Sequence, residues 1–258
     1  MLRLLSIEFL KLRTNRQFLA LVLLLLITIS VVDYVIMKTN GGNARMMSKL
    51  LSIPEEMLAY SLVSFVCGFI FTIPAMIIIM HTCAEYTYKT HRQNIIDGMT
   101  RQQYIATKLM LVVAIALFTT IAVYLIAFLI GTFDNSPFSL AAMKYMVFYF
   151  VQAVMYLSLA FLFALIIKRS ILSLSVFVVY SLIFENILEY KLGKKFDASA
   201  ISDMLPLASC DHLITAPDRQ IFSFIADPKP ETVYLAATLI YIAACCALCF
   251  YRYGKQDL

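Results

Sequence analysis

His81 and Glu85 stand four residues apart, so one helix face could present an imidazole and a carboxylate together, with His91 a little further on. A helix-borne zinc site wants two histidines at that spacing with a glutamate between them, and the second histidine is missing. Cys245, Cys246 and Cys249 would suit a soft metal by their spacing. They also continue the small residues Ala243 and Ala244, a pattern that lets neighbouring helices approach closely. Cys210-Asp211-His212 has no further ligands nearby in sequence and reads as loop surface. A phosphate-cradling loop needs a glycine five residues before the Gly-Lys pair, and Leu188 stands where Gly193-Lys194 would require it. Ser158, Ser173, Ser175 and Ser181 can bond back to their own helices. No metal site and no catalytic constellation is expected.

What remains is a polar segment between two apolar runs, residues 85–108, with Lys89, Arg92, Arg101 and Lys108 as its basic residues. Ile95 and Ile96 give it a short helix with an apolar edge, and Gly98 falls where that helix should stop, because glycine reaches the left-handed region without a Cβ penalty. Thr100 with Gln103 forms a capping box, so a second helix starts there and runs into the next apolar stretch. A helix, a break and a capped helix at the mouth of two spans make a rigid lever.

The elements carrying this lever must be membrane helices. Of 258 residues 62% are hydrophobic and 14% charged, with mean hydropathy +0.84, whereas soluble domains carry nearer a quarter charged residues. Six apolar runs, at 18–37, 62–83, 109–130, 145–167, 171–188 and 233–251, are close to the ~20 residues that cross the hydrocarbon. The fifth is clean only to Phe184, before Glu185 and Asn186, so a tilted or broken helix is expected. The first has too long an apolar core for a signal peptide and no small-residue cleavage pattern after it.

With the N-terminus inside, inner segments hold twelve Lys or Arg against four acidic residues, and outer segments nine against twelve. Short loops decide orientation: 85–108 has four basic residues and 131–142 has none, which places both termini in the cytoplasm. Residues 1–16 put Leu2, Leu5, Phe9 and Leu12 on one stripe with Arg3, Glu8 and Lys11 off it. This suits an interfacial helix, or simply a basic topology anchor. Residues 38–61 carry a second capping box, Ser52 with Glu55. In the outer loop at 189–231 a short helix is expected to end at Pro206 and another to follow Pro217, while Pro230 opens the last span.

Charges at membrane depth are functional candidates because they are costly there. Asp33 and Glu185 lie near the outer ends of spans one and five, within reach of water or of a solute path; no span has a charge at its middle. Pro74, midway along span two, removes a backbone donor and is a candidate hinge.

The opening Met-Leu-Arg-Leu-Leu-Ser-Ile-Glu8-Phe-Leu-Lys11 resembles that of type-2 ABC exporter permeases. So do Glu85 after span two, Arg92-Gln-Asn-Ile-Ile-Asp97-Gly98-Met-Thr-Arg101, and Lys108 at the start of span three. The likeness runs along the whole chain and is nearest to small bacterial permeases of peptide-antibiotic immunity or efflux. It implies an all-α, polytopic membrane protein of six transmembrane helices in a single domain, 1–258, in the cytoplasmic membrane of a bacterium. It also implies that 85–108 is a cytoplasmic coupling helix docking on a soluble ATPase subunit through Glu85, Arg92, Asp97, Gly98, Arg101 and Lys108. Two permease subunits would form the path in lipid, with ATP and magnesium on the partner, no cofactor on this chain and no nucleic acid. The competing classes are a secondary transporter or channel, against which the lack of mid-span charge counts, and an intramembrane enzyme or membrane scaffold, against which stands the absence of a polar constellation in the sequence.

Overall fold

The computed structural model of the chain describes residues 8, 10–12, 16–40, 55–96, 98–133, 143–196, 203–214 and 230–255, and these are helices joined by short turns, with no strand among them. After a helical segment at Glu8 and 10–12 come α1 (Arg16–Asn40), α2 (Glu55–Gly68), a 3-10 turn at Phe69–Phe71, and α3 (Thr72–Thr87). Then follow α4 (Thr90–Ile96), α5 (Arg101–Phe133), α6 (Met143–Ile167), α7 (Ser170–Val179), a π turn at Tyr180–Phe184, α8 (Glu185–Phe196), α9 (Pro206–Asp211) and α10 (Glu231–Gly254).

Among the described residues five helical stretches are long and apolar enough to cross a membrane: Ser61–Thr87, Arg101–Ile126, Met143–Ile167, Ser170–Leu192 and Glu231–Gly254. A shorter apolar stretch, Phe18–Val31, lies within α1. The chain is thus all-helical, with the lengths and composition of a multi-pass membrane protein. The centre is α6, which packs against α2, α3, α5, α7, α9 and α10. Its apolar stretch is 61% buried, against 17% for Ser170–Leu192, which therefore offers most of its surface to whatever surrounds the bundle. Ala153, Ala160 and Ala164 on α6 are fully buried, and these small side chains let the neighbouring backbones come close. Gly68 serves the same end: a Cβ there would stand 3.3 Å from Gln152 Nε2.

The helix of the second apolar stretch changes its hydrogen bonding just before Pro74. Pro74 has no N–H for the Ile70 carbonyl, and the chain tightens just before it into the 3-10 turn, with Thr72 N–H turned to Ile70 O. The fifth run does not stop at Glu185. It stays helical through the π turn and on into α8, because the wider turn absorbs one extra residue without ending the hydrogen-bond ladder.

Three expectations for Glu185 and the 189–231 segment are overturned. Pro206 opens a helix instead of ending one: it occupies the first turn of α9, where its missing N–H is no loss. Cys210-Asp211-His212 is not loop surface, since Cys210 is fully buried and the His212 side chain is 2% exposed. Glu185 is 3% exposed and so is withdrawn from water. All three follow from one fact: α9 is set into the bundle, against α6, α8 and α10. The Ser52–Glu55 capping box, Asp97, the side chain of Asp33, and the segment after Pro217 lie outside the described residues.

Candidate functional site

Three helical pairs meet at the root of the lever. On α3, His81 and Glu85 are four apart and share a face; on α5, Tyr104 and Lys108 do the same; on the N-terminal segment, Glu8 and Lys11 are three apart. All but Lys11 are buried, with Lys108 only 1% exposed. The Lys108 ammonium is the hub. It donates to Glu8 Oε2 at 2.5 Å, lies 2.9 Å from Glu85 Oε1, and sits 3.1 Å from His81 Nε2. His81 Nε2 is 2.7 Å from Glu8 Oε2, where an N–H on that nitrogen donates to the carboxylate. Lys11 donates to Glu8 Oε1 at 3.0 Å and to Glu85 Oε1 at 3.2 Å, and Tyr104 Oη donates to Glu85 Oε2 at 2.8 Å.

Two carboxylates are thus met by two ammonium groups, and three elements that are distant in sequence are tied together. Burial alone would raise the Glu8 carboxyl, but the His81 hydrogen bond and the Lys108 charge outweigh it and hold it well below the ordinary carboxylate range. Burial likewise opposes the charge on Lys11, and the Glu85 and Glu8 carboxylates overcome it, so its ammonium is held above the usual lysine range. By linkage, Glu8 contributes fully above its unfolded value near 4.5 and loses that contribution as pH falls toward its depressed folded value. Lys11 contributes below its unfolded 10.5 and loses it only as pH rises through its higher folded value. The cluster is intact across neutral pH.

Glu8, His81 and Glu85 converge closely enough to ligate a metal, their donor atoms lying within 4.8 Å of one another. Lys108 holds the place a metal would take, and a divalent ion would have to displace a buried ammonium. The arrangement is a clamp in its chemistry, with no nucleophile or acid–base pair facing a substrate cavity.

The lever itself follows its sequence closely. α4 ends in a Schellman motif: Met99 N–H donates to Asn94 O at 3.0 Å and Gly98 N–H to Ile95 O at 3.0 Å, with Gly98 at φ +98°. The capping box is reciprocal, with Thr100 N–H to Gln103 Oε1 at 3.0 Å and Gln103 N–H to Thr100 Oγ1 at 3.2 Å. Ile95 packs inward, whereas Ile96 is 78% exposed at the lever tip beside exposed Arg92. Arg101 turns back instead, its guanidinium donating to Gly254 O at 2.9 Å, and Tyr104 stacks on Tyr253 with ring centroids 4.9 Å apart. The end of α10 is therefore bound to the same root.

Of the residues singled out in the sequence, Glu85 and Lys108 belong to the buried root, Arg92 and Gly98 to the exposed lever, and Arg101 to the joint with α10. Pro74 lies on α3 about three turns before Glu85, and Glu185 is at the opposite end of the bundle. Glu8, Lys11, His81 and Tyr104 are the partners that sequence reasoning did not assemble. Glu8 was expected off the buried stripe of its helix, yet it is 3% exposed beside Leu12 at 2%, while Leu10 is 62% exposed. The buried face is the one carrying Glu8 and Leu12, four apart. The detectable signal was polar pairs at helical spacing close to span ends.

The far end of the bundle holds a second polar group. Glu185 Oε1 accepts from the backbone N–H groups of Leu207 and Ala208, at 2.5 and 3.0 Å, and so caps the start of α9. Asp211, at the other end of α9, accepts from Gln152 Nε2 at 2.7 Å and from Tyr156 Oη at 3.0 Å. Gln152 lies nine residues into α6, about 14 Å along its axis at 1.5 Å per residue, so a carboxylate does reach into the depth of the bundle. It comes from α9 and not from a span, so the middles of the spans themselves carry no charge. Glu185→Leu should leave two buried N–H groups without an acceptor, at about 1–3 kcal/mol each. The expected result is faster proteolysis within 203–214 with the rest of the bundle intact; an unchanged cleavage rate would remove the capping role.

No curated protein matches the chain. The family described as "Protein of unknown function (DUF2705)" matches residues 18–258, from just after the segment that supplies Glu8 to the last residue. By that match, which spans nearly the whole sequence, the chain belongs to the DUF2705 family.

Proposed function

We propose that this chain is the permease subunit of an ATP-driven exporter, with six spans, both termini in the cytoplasm, and an ATPase on a separate soluble subunit. The observation that carries the reading is the clamped root. Glu85 leaves the second span, Lys108 enters the third, and both join Glu8 in one buried cluster. A force on α4 would then move spans two and three together with the N-terminal helix, instead of being lost in a loose loop. Rigid transmission of this kind is what a lever pressed by a nucleotide-driven partner needs, since the partner must contact two states of the permease differently to shift between them. The exposed Ile96 and Arg92 at the tip suit a docking groove on that partner.

A second reading, a secondary transporter working without an ATPase, draws support from Glu185, buried among the helices, and from Asp211, half-buried beside it. Both carboxylates are already engaged in holding α9. Purification of the tagged chain from its native membrane separates the readings: the exporter retains a soluble nucleotide-hydrolysing subunit at a fixed ratio, and the secondary transporter does not.

Pro74 gives this mechanism its hinge. Pro74→Ala restores the missing donor toward Ile70 and should straighten α2 and α3 into one helix. We expect the ATPase to bind Pro74→Ala as it binds the parent. The ATP-dependent change in labelling of a cysteine placed near the outer end of α2 should be largely lost. Parental labelling changes would make the second span a static strut.

A further inference from the structure

Beside the lever is a cavity of about 330 Å³ that the clamp does not use. Lys89, Arg92, Arg101, Lys168 and Arg169 line it, with Tyr86 and Tyr253 as aromatic walls, and no carboxylate is among its lining residues. Arg101 is committed to the Gly254 carbonyl, and Lys168 lies 5.4 Å from the Tyr86 ring centroid. Among the described residues none of the five cations is paired with a carboxylate.

Helix ends do not account for so much positive charge. α3, α6 and α10 finish here, and each C-terminus carries roughly half a negative charge. That offsets fewer than two of five cations. Two of the lysines also hold unusual backbone: Lys89 (φ 57°) and Lys168 (φ 58°) are the positive-φ residues other than glycine among those described. Each follows the end of a span, at positions where glycine would be the unstrained choice, and such strain persists where the surroundings make use of it.

The cavity lies where spans end, at Thr87 and Ile167, and where α5 begins at Arg101. That is headgroup level. Next to it the surface becomes apolar and open, with Ile166 46%, Ile171 83% and Leu172 52% exposed. We infer that this cavity binds the phosphate of an anionic phospholipid, its acyl chains lying along the exposed side chains that flank Lys168 and Arg169. Basic pockets between membrane helices recognise such headgroups through charge-assisted hydrogen bonds from Arg and Lys. A folded acidic segment of a partner protein would not fit the volume, whereas a phosphodiester with its glycerol would. The inference is independent of the exporter reading.

The test uses the full-length chain purified in detergent, with no partner present. Native mass spectrometry follows its retention of phosphatidylglycerol, phosphatidylcholine with the same acyl chains, and inorganic phosphate. Phosphatidylglycerol should be retained at least tenfold more tightly than phosphatidylcholine, and less tightly as salt rises. Lys168→Gln combined with Arg169→Gln should bring the two lipids level at an unchanged melting temperature. The charge-conserving pair Lys168→Arg with Arg169→Lys should keep most of the preference. Equal retention of the two lipids by the parent would overturn the assignment. So would an undiminished preference in the neutralised variant, or retention of inorganic phosphate without any lipid preference.

Discussion

Lys108→Met should destabilise the protein by about 3–5 kcal/mol, the range for removing one partner of a buried charge pair. Methionine fills much of the volume, so the loss is electrostatic: Glu8 and Glu85 would keep only the half-exposed Lys11 ammonium between them and lose the buried one. Membrane proteins are also only marginally stable, and a change of this size should show as a steep fall in thermal midpoint and in yield. An internal comparison comes from Lys144 and Glu231, an ion pair at 2.6 Å whose side chains are 47% and 48% exposed. Breaking that pair with Lys144→Met should change stability by under about 1 kcal/mol. Combining Lys108→Met with Glu8→Gln should recover part of the loss, because one uncompensated charge is then removed. A cycle of the two single and the double variants would give their coupling directly. A Lys108→Met protein that melts with the parent would mean that the cluster does not hold the root.

The second large effect is expected at the lever and should leave stability nearly untouched. Gly98 sits at φ +98° with nothing within 4 Å of where a Cβ would be, so a side chain meets no steric obstacle there and only the backbone objects. Gly98→Val must leave the left-handed region, at a local cost of about 1–2 kcal/mol, and α4 would reorient relative to α5. Because α4 is exposed and its contacts are few, the bundle should tolerate this. If the chain is the proposed permease, association with its ATPase subunit should fall at least tenfold, and Arg92→Glu at the lever surface should act similarly through charge. Gly98→Asn, a residue that enters the left-handed region more readily, should retain more association than Gly98→Val. A Gly98→Val chain that holds its partner as well as the parent would show that the lever's orientation is immaterial.

The parts of this architecture that were legible in the sequence are the locally determined ones. The end of α4 at Gly98 and the Thr100–Gln103 box depend on residues within a few positions of each other, and both formed with the expected hydrogen bonds. Helix positions for five of the apolar runs followed from length and hydropathy, and the back-bonding of Ser158, Ser175 and Ser181 from the chemistry of a hydroxyl on a helix, whereas the buried Ser173 hydroxyl makes no such bond. The clamp was not legible, because its members come from positions 8, 81, 85, 104 and 108 and only packing brings them together. Glu8 looked like the polar side of an amphipathic helix. A carboxylate is withdrawn from water only when partners of opposite charge await it, and those partners lie on other helices. The insertion of α9 was hidden for a related reason. Leu205, Leu207, Leu213 and Ile214 give its segment enough apolar residues to fold back, but its two carboxylate contacts, Glu185 at one end and Asp211 at the other, join groups far apart in sequence. Pro206 is equally at home after a helix or in its first turn, so it could not decide the direction.

The exporter reading stands or falls on what touches the lever tip. A photo-crosslinking amino acid placed at the exposed Ile96, in otherwise native membranes, should capture one soluble ATPase subunit in high yield. That yield should change when ATP is added with its hydrolysis blocked, because the partner contacts the two states differently. Capture of lipid alone at position 96, with no soluble protein in either nucleotide condition, would contradict the assignment of 85–108 as the coupling element and favour a transporter that works without an ATPase.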